Sequence, residues 1–403
     1  MRKPKILVLT GAPPYPLVTG AKIRTFNLLA SLAGEFDIEL LTILTDAGEI
    51  TVLDRIRDAG ITCHHLIEKR LDNRNQKAMD ALCSYMLSEP YLTRHYTTKR
   101  YRRLLDTLLA SGKYDVVHCD SISMSGNLRG LDKSRLILTQ HNIEHVIWAG
   151  YADHAHGFID KMFYRNQYRK VRRLEENLRD IYGNIVTVSE NDRETLAAAY
   201  PRDDIVVVEN GVAPLAYRAP ASAGERVGII FSGSLDWHAN VDGLNWFMQE
   251  VYDHLRQKAP EAPITIVGRR PHRALKATIG DKPGIHLQAD VPEIQPFLWK
   301  ARVMMVPLRI GGGSRLKILE AMAAGLPVIS TGKGAEGLAV RHNEHLIIED
   351  DPGRFADALV QMLTDDELFD RLSAAGLDLV KSRYSWEQVA RPLAELWRRV
   401  AHV

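Results

Sequence analysis

The chain has 403 residues, of which 45% are hydrophobic and 25% are charged, and its formal net charge is +2. At about 150 residues per domain, this length predicts two or three domains. The composition is that of a folded globular protein and excludes a largely disordered, collagen-like or coiled-coil chain. A dedicated nucleic-acid binder carries a larger basic excess, so we expect no nucleic-acid partner.

The cysteine content and the apolar runs of the sequence indicate the cellular compartment in which the protein is expected. The three cysteines, Cys63, Cys83 and Cys119, form no CxxC pair, which favours a reducing compartment. The apolar run after the first residues covers only Ile6–Leu9, too short for a signal-peptide core, and no run approaches the roughly 18 residues of a membrane span. We therefore expect a cytoplasmic protein.

Strand and helix signals alternate along the first half. Buried-strand runs predict strands at Lys5–Thr10, Asp37–Leu44, Cys63–Ile67, Tyr114–Cys119, Arg135–Gln140 and Asn184–Ser189. Helical spacing of apolar residues predicts helices at Ala21–Ala33, Arg74–Leu87, Thr98–Ala110 and Asp160–Ile181. This alternation is typical of a parallel sheet with right-handed crossovers.

The second half repeats the alternation after a change of composition. Asn210-Gly211 is a turn signal, and Ala213–Gly224 is rich in Ala, Pro and Ser, which predicts an interdomain linker over 213–224. The later strands are predicted at Val227–Ser232, Ile264–Gly268, Ile285–Gln288, Val303–Val306, Val328–Thr331 and His345–Ile348. The final helices are predicted at Pro352–Leu363, Asp365–Ser382 and Trp386–Ala401. The sequence thus predicts two doubly wound α/β domains, over 1–212 and 225–384, and ligands bind such sheets at the carboxyl ends of the strands.

The glycine-rich segment before Glu320 has the pattern of an anion site. It reads Gly311-Gly312-Gly313-Ser314 and lies between a strand ending near Pro307 and a helix predicted to reach about Ala324. Glycines let a backbone approach a ligand closely, Ser314 suits the N-cap, and the N–H groups of a helix N-terminus bind phosphate.

Cations in the first turn of this helix strengthen the hypothesis. Arg315 and Lys317 would lie where the helix dipole disfavours a cation by about 0.3–1 kcal/mol, and a bound diphosphate would reverse that sign. The alternative is that both are solvated. Glu320, one turn on, can reach a ribose hydroxyl, or it can pair with Lys317 at i,i+3.

A histidine marks the end of a strand in the first half. His141 directly follows the strand predicted at Arg135–Gln140, at the edge of the sheet where ligands bind. It can bond a sugar or move a proton, or it can be a structural histidine. Ser189 is a weaker candidate, because capping the helix from Glu190 explains it equally well.

Two motif matches do not fit their context. His141-Asn142-Ile143-Glu144-His145 matches the zinc-peptidase pattern HxxEH, which needs both histidines on one helix, but a strand runs into His141. Gly332-x-Gly334-x-x-Gly337 matches GxGxxG, but it lies late in its domain and no clear helix follows. We therefore expect neither a peptidase nor a dehydrogenase, and no metal site.

Two segments concentrate basic residues without acidic ones. Positive side chains there include Lys99, Arg100, Arg102 and Arg103 in the first segment, and Arg165, Arg169 and Lys170 in the second. The second segment also carries aromatic residues. Such helices can lie on an anionic membrane or meet an acidic acceptor, and a solvated face is the alternative.

Taken together, the motifs resemble the retaining glycosyltransferases of family 4, which have the GT-B fold of two facing Rossmann-like domains. The resemblance covers nearly the whole chain and no single motif carries it. It rests on FSGSLDWHAN, ITIVGRRP, ADVPEIQPFLWKA, GGGSRLKILEAMAAGLPVISTGKGAEGL, TVSE and ENGV, together with Gly20 and His141. Within the family, the sequence most resembles bacterial members of exopolysaccharide and cell-surface glycan pathways.

The family implies roles for particular residues. It implies that Glu320 binds the donor ribose, that backbone near Val291 meets the base, that His141 approaches the donor sugar, and that Gly20 lets the first loop close over the phosphates. It implies donor contacts at Gly233, Ser234, Asn240, Gly268 and the 311–314 loop. It also implies that 385–403 pack back onto the first domain.

Three departures from the family pattern stand out. Gly312 replaces the first acid of the E-x7-E motif, which contacts donor-sugar hydroxyls. Ser234 and Asn240 stand about where the family has Arg and Lys, so phosphate charge falls more on Arg315 and Lys317. The usual Gly-Gly of the first loop is Gly20-Ala21.

The resulting hypothesis is a retaining, metal-independent glycosyltransferase without a cofactor. It takes a nucleotide diphosphate sugar, UDP- or GDP-linked, and a glycan or polyprenyl-linked acceptor at the inner face of the membrane. Arg315, Lys317 and the helix N-terminus would stabilise the negative charge of the leaving diphosphate. A non-catalytic nucleotide-sugar-binding scaffold, favoured by Gly312, and a GT-B sugar-nucleotide epimerase are the alternatives.

Overall fold

The computed structural model of the chain describes residues 2–402 except 129, 154, 156, 200–203, 272, 281 and 311–314. The chain divides into two compact units, Met1–Glu209 with Val389–Val403, and Asn210–Gln388. Residues 213–224, predicted as a linker, therefore fall inside the second unit, and the chain passes into that unit at Asn210.

The first unit is built on a seven-stranded parallel sheet of order β3-β2-β1-β4-β5-β6-β7. The strands are β1 (Lys5–Leu9), β2 (Asp37–Leu44), β3 (Thr62–Ile67), β4 (Val116–Cys119), β5 (Leu136–Gln140), β6 (Asn184–Thr187) and β7 (Ile205–Val207). β4 and β5 are buried along their whole length, as expected of central parallel strands covered on both faces.

Nine helices of the first unit connect these strands among the described residues. They are α1 (Gly20–Leu32), α2 (Val52–Asp58), α3 (Arg74–Met86), α4 (Tyr91–Tyr96), α5 (Lys99–Ser111), α6 (Glu144–Asp153), α7 (Phe158–Glu176), α8 (Leu178–Ile181) and α9 (Glu190–Ala199). The helix predicted over Asp160–Ile181 is two helices, because Asn177 leaves the helical conformation.

The second unit is built on a six-stranded parallel sheet of order β10-β9-β8-β11-β12-β13. Its strands are β8 (Ile229–Ser232), β9 (Ile264–Gly268), β10 (Ile285–Ala289), β11 (Val303–Val306), β12 (Val328–Ser330) and β13 (Ile347–Ile348). β8 and β11 are fully buried and adjacent, so the centre of the sheet lies where the predicted donor residues follow β8.

Helices of the second unit cover both faces of its sheet. They are α10 (His238–Trp246), α11 (Tyr252–Lys258), α12 (Arg273–Gly280), α13 (Gln295–Lys300), α14 (Leu316–Ala323), α15 (Gly332–Ala335), α16 (Pro352–Thr364), α17 (Asp366–Leu379) and α18 (Trp386–Val389). α14 begins at Leu316 with Arg315 in the N-cap position. The prediction of Ser314 as the N-cap is therefore wrong. Of the two cations predicted in the first turn, Lys317 lies there and Arg315 does not.

The C-terminal helix α19 (Arg391–Ala401) belongs to the first unit. Its Trp397 is fully buried and packs edge-on against Phe36, with the ring centroids 5.1 Å apart. The last helix thus completes the core of the unit in which the chain begins. Within the described ranges, no helix has the length and apolarity that a bilayer span requires.

Candidate active site

Four residues predicted to contact the donor meet at the carboxyl end of β8. Lys317 Nζ donates to Asn240 Oδ1 at 2.8 Å, and Asn240 Nδ2 donates to the carbonyl of Ser234 at 2.8 Å. Gly233 has a φ of +155°, and a Cβ there would lie 2.8 Å from Asn240 Nδ2 and 3.0 Å from Lys317 Nζ. Only glycine fits this position without displacing the lysine.

The surroundings of Lys317 tune its charge. Its Nζ lies 4.4 Å from the centroid of the Phe231 ring. Burial, together with the neighbouring charge of Arg315, lowers the pKa of Lys317 to about 7, although Glu320 opposes both effects. Near neutral pH the ammonium is therefore only partly protonated, and an anion beside it would restore the charge.

Arg315 is anchored rather than free to move. It is 6% exposed, it donates to the carbonyl of Lys333 at 2.8 Å, and its guanidinium lies 3.6 Å from the Glu336 carboxylate. Its charge is therefore partly balanced by Glu336. The other members of the predicted anion site, Gly311, Gly312, Gly313 and Ser314, lie outside the described residues.

Glu320 has a partner that sequence reasoning missed. Tyr217, from a short 3-10 helix over Pro214–Tyr217, donates its hydroxyl to Glu320 Oε1 at 2.8 Å. Burial raises the pKa of Glu320, while the Tyr217 hydroxyl and Lys317 lower it in part. No motif marks Tyr217, since it stands in a segment whose composition predicts a linker.

Gly268 and Val291 lie at the same edge of this sheet. A Cβ on Gly268 would lie 1.9 Å from the carbonyl oxygen of Gly233, so the backbones after β8 and at the end of β9 touch. Asp290, just before Val291, donates its N–H to the carbonyl of Gly268 at 2.9 Å. The predicted base-contacting segment is thus fixed beside β9.

In the first unit, His141 is paired with a carboxylate that was not predicted. His141 Nε2 lies 3.3 Å from Asp120 Oδ2, because the two residues follow the adjacent strands β5 and β4. Thr25 of α1 donates to the same oxygen at 2.7 Å. Burial raises the pKa of Asp120, but His141, Thr25 and His118 together hold it below its ordinary value. Asp120 is therefore an anion that can orient His141.

A second buried carboxylate anchors the segment that carries His141. Glu175 of α7 is 1% exposed. Its Oε1 accepts from the side chain of Gln140 at 3.0 Å and from the N–H of Glu144 at 2.9 Å, and its Oε2 lies 2.5 Å from His145 Nδ1. The segment is thus pinned on both sides of His141.

The structure also places the other predicted residues of the first unit, and the predicted role of Gly20 at the phosphates stays a prediction. Gly20 is the first residue of α1, which Thr19 caps. Ser189 bonds the N–H and the carboxylate of Asp192, so its predicted alternative role as a cap of α9 is confirmed. α6 begins at Glu144, and His141 therefore lies outside the helix that an HxxEH site would need.

The predicted basic surface divides into two groups. Lys99, Arg100, Arg103, Arg165 and Arg169 are exposed. By contrast, Arg102 donates to the carbonyl of Gly126, and Lys170 donates to carbonyls at the end of α3, including that of Tyr85 at 3.0 Å. These two cations are half-buried and bond backbone carbonyls of the fold, and their predicted place on the acceptor surface stays a prediction. Among the described residues, no group of three His, Cys, Asp or Glu is placed to hold a metal.

Comparisons with known proteins identify the class. Residues 83–214 match the model of Glycosyltransferase Family 4, and residues 226–365 match that of Glycosyl transferases group 1. The structure of HepE from Anabaena, in complex with UDP and glucose, superimposes with a TM-score of 0.66 at 13% identity over 98% of this chain and 99% of that chain. Residues 83–214 and 226–365 thus carry glycosyltransferase domains of these two families, and the chain is a glycosyltransferase with the GT-B fold.

Two curated relatives show how far the sequence similarity extends. An uncharacterised 44.6 kDa protein in the cps region of Klebsiella pneumoniae is 21% identical over 401 residues, which are 96% of this chain and 97% of that protein. A phosphatidyl-myo-inositol mannosyltransferase of Mycobacterium leprae is 32% identical over 216 residues, 49% of this chain. The match spans about half the length of that mannosyltransferase, 54%.

Proposed function

We propose that the protein transfers a sugar from a nucleotide diphosphate sugar to a glycan or polyprenyl-linked acceptor, with retention at the anomeric carbon and without a metal ion or cofactor. The observation that carries this proposal is Lys317, a cation held by Asn240 over Gly233 at the carboxyl end of β8. Such a charge favours a bound diphosphate at the edge where parallel sheets bind ligands.

The chemistry of the step follows from charge. The bond between the anomeric carbon and the diphosphate oxygen breaks, and its electron pair leaves on the diphosphate. A cation placed beforehand at that oxygen stabilises the developing charge without reorganisation. Lys317 supplies this charge in the proposal, and Arg315 supports it. The acceptor hydroxyl oxygen forms the new bond to the anomeric carbon, and its proton passes to the leaving phosphate.

Donor recognition is assigned to the remaining residues of the second unit. Glu320 binds the ribose and the backbone at Val291 meets the base, and the predicted phosphate contacts of residues 311–314 lie outside the described residues. The donor is a UDP- or GDP-sugar in this proposal, and UDP is the first probe because HepE was crystallised with UDP and glucose. His141 approaches the donor sugar, oriented by Asp120 at 3.3 Å.

The acceptor side is assigned to an anionic membrane surface at its cytoplasmic face. Phe158, Met162, Arg165 and Arg169 follow each other at helical spacing on α7, and all four are exposed. Phe158 and its neighbour Ile159 are 79% and 80% exposed. An apolar end followed by basic residues suits a helix lying in a lipid interface. A soluble anionic glycan would explain only the basic part.

Vesicle sedimentation tests this surface. We expect wild-type protein to bind phosphatidylglycerol vesicles and not phosphatidylcholine vesicles, and Phe158→Glu with Ile159→Glu to abolish binding. Leu215→Glu in the second unit is the matched control, since Leu215 is also 84% exposed. Equal binding by the double variant would overturn the membrane assignment.

A role in bacterial surface polysaccharide synthesis is the biological setting that we propose. Its support is the Klebsiella pneumoniae relative, whose name places it in a cps region and which is similar over nearly all of both chains. The second candidate is a nucleotide-sugar-binding scaffold without turnover. One observation favours it, namely Gly312 in place of the first acid of the E-x7-E pattern.

A thermal-shift screen with UDP-, GDP-, ADP- and dTDP-sugars is the first test, since a ligand that binds only the folded state raises Tm. We expect one donor class to raise Tm in wild-type protein and to lose its effect in Lys317→Met. Lys258→Met, on the exposed face of α11, serves as the control. No shift with any donor would contradict the proposal, and a shift without turnover would favour the scaffold.

A further inference from the structure

One contact of the second unit that the proposed function leaves unassigned joins Tyr217 to Glu320. Tyr217 OH lies 2.8 Å from Glu320 Oε1, across 103 residues of sequence. The backbone of Tyr217 is itself held, because Trp299 Nε1 of α13 donates to the Tyr217 carbonyl at 2.8 Å. The hydroxyl therefore approaches Glu320 from a backbone position that α13 holds.

A hydrogen bond at one carboxylate oxygen has a defined consequence. A carboxylate has two oxygens and can accept several hydrogen bonds, so a donor at Oε1 fixes the rotation of the group and keeps Oε2 available for ligand hydroxyls. Burial and the neighbouring Glu320 raise the pKa of Tyr217 above its ordinary value. The hydroxyl therefore remains a donor throughout the pH range in which an enzyme works.

We propose that Tyr217 is a positioning residue that orients the Glu320 carboxylate for the ribose hydroxyls of the nucleotide and thereby sets the preference for ribonucleotides over deoxyribonucleotides. This inference rests on the proposed role of Glu320 in donor binding. Tyr217 acts through Glu320, not on the reacting atoms. Its loss therefore affects nucleotide affinity much more than the turnover of bound donor.

Selectivity for the ribose is the property that separates orientation from general support of the fold. A site built to bond a hydroxyl rejects the analogue that lacks it, because a buried polar group is then left unpaired. A badly oriented Glu320 loses this selectivity even when the protein remains fully folded. A merely structural tyrosine would lower stability and leave the preference between sugars unchanged.

The experiment measures the Kd of UDP, 2′-deoxy-UDP and 3′-deoxy-UDP by calorimetry, with the GDP series used if UDP does not bind. The proteins are wild type, Tyr217→Phe, Glu320→Gln and the double variant. Phenylalanine removes only the hydroxyl and keeps the ring and the backbone contact with Trp299. Tyr252→Phe is the matched control, because Tyr252 OH donates to the carbonyl of Pro283 at 2.7 Å on another face of the unit.

We expect Tyr217→Phe to weaken UDP binding about tenfold, the scale of one hydrogen bond to a charged group. Wild-type protein should prefer UDP over the deoxy analogues at least about tenfold, and in Tyr217→Phe this preference should fall to about threefold or less. The KM for the donor rises in parallel and kcat stays within about threefold. In the Glu320→Gln background, Tyr217→Phe adds nothing, since contacts that act through one residue are not additive.

Failure of this inference and failure of the proposed function are distinguishable. If Glu320→Gln abolishes discrimination and Tyr217→Phe leaves it intact, or if Tyr217→Phe tightens binding, Tyr217 does not position Glu320. If wild-type protein binds UDP and does not discriminate, Glu320 is not the ribose ligand and the inference fails with it. If neither UDP nor GDP binds, the proposed function itself is overturned.

Discussion

At the scale of single residues, the protonation state of Lys317 links burial in the second unit to the proposed binding of a diphosphate. Its Nζ is bonded to Asn240, and burial lowers its pKa to about 7. In the unbound protein burial disfavours the charged form of Lys317, so about half of the molecules carry a neutral amine there at pH 7. A diphosphate beside it would raise the pKa again, and binding would then take up a proton.

This linkage predicts the pH dependence of donor affinity. Below pH 7 Lys317 is already protonated and affinity is maximal. As pH rises above the unbound pKa of about 7, the affinity falls by up to about tenfold per pH unit, because binding must first protonate the amine. A nucleotide sugar is the probe, since its diphosphate carries no group that titrates near pH 6, unlike a free terminal phosphate. The measurement is calorimetric Kd at pH 6.5, 7.5 and 8.5.

Lys317→Arg is the control for that experiment, because a guanidinium stays protonated over this range. We expect the variant to bind with nearly constant affinity between pH 6.5 and 8.5. A wild-type affinity that does not change with pH would show that Lys317 does not meet the phosphates.

Individual site residues differ in how far the sequence could predict them. Gly233, Asn240 and Lys317 belong to recognisable segments, and the structure does bring them together. Tyr217, Asp120 and Glu175 carry no motif, and each meets its partner only through the fold. Asp120 and His141 are 21 positions apart in sequence, and only the pairing of β4 with β5 places them side by side.

At the scale of elements, α7 fixes the active strand end of the first unit. Its Glu175 accepts hydrogen bonds from the first turn of α6 and from Gln140 at the end of β5. One helix thereby caps another and determines where His141 lies. A buried carboxylate is tolerated in this position because donors from two neighbouring elements surround it.

Replacement of Glu175 by Gln tests this arrangement. The amide nitrogen would face N–H groups that now donate to a carboxylate, so we expect a loss of about 2 kcal/mol or more in stability and at least a tenfold fall in kcat. The matched control is Glu176→Gln, since Glu176 is exposed and pairs with Arg172 at 3.3 Å. Urea unfolding and steady-state rates provide the measurements, and similar behaviour of both variants would contradict the role of Glu175.

The contact between α19 and β4 predicts a second element-scale property. Trp397 Nε1 donates to His118 Nδ1 at 3.2 Å, and His118 Nε2 lies 2.7 Å from Thr139 Oγ1. These partners suit the neutral imidazole with its proton on Nε2. Burial lowers the pKa of His118 to about 4, so the folded state resists protonation while the unfolded chain does not.

The sign of the resulting pH dependence is fixed. The unfolded histidine, with a pKa of about 6.5, binds a proton before the folded one, so this contribution to stability is present above pH 6.5 and is lost as pH falls toward 4, by about 3 kcal/mol at most. We expect His118→Asn to be less stable at pH 7 and to have a flatter stability profile between pH 6.5 and 4.5. His402→Asn, at an exposed position, should keep the wild-type slope. An unchanged slope in His118→Asn would refute the assignment.

Strands were more predictable than helices for a physical reason. Parallel strands buried on both faces read as continuous apolar runs, and β2, β9 and β11 have the predicted bounds. α6 was not predicted because its apolar residues do not form a stripe, and α4 was not predicted because it is only six residues long. β13 is shorter than predicted, since only Ile347 and Ile348 pair with β12.

For the whole molecule, the length of the chain and the order of its elements predict two parallel-sheet units, and the family resemblance predicts that the last helix returns to the first unit. The sequence does not predict the residue at which the chain passes from the first unit into the second, Asn210. A segment rich in Ala and Pro suggests a linker, yet Tyr217 within it packs on α14 through Glu320. The composition of a segment indicates its local conformational preference. It does not indicate a contact such as Tyr217 with Glu320, which forms only in the folded unit.

The most direct measurement is release of nucleoside diphosphate from the donor that binds, with and without a panel of polyprenyl-phosphate and glycan acceptors. The account predicts release that depends on an acceptor, transfer of the sugar to that acceptor, and at least tenfold slower release by Lys317→Met with Lys258→Met unchanged. Binding without release, a modified sugar still attached to its nucleotide, or wild-type rates in Lys317→Met would contradict it.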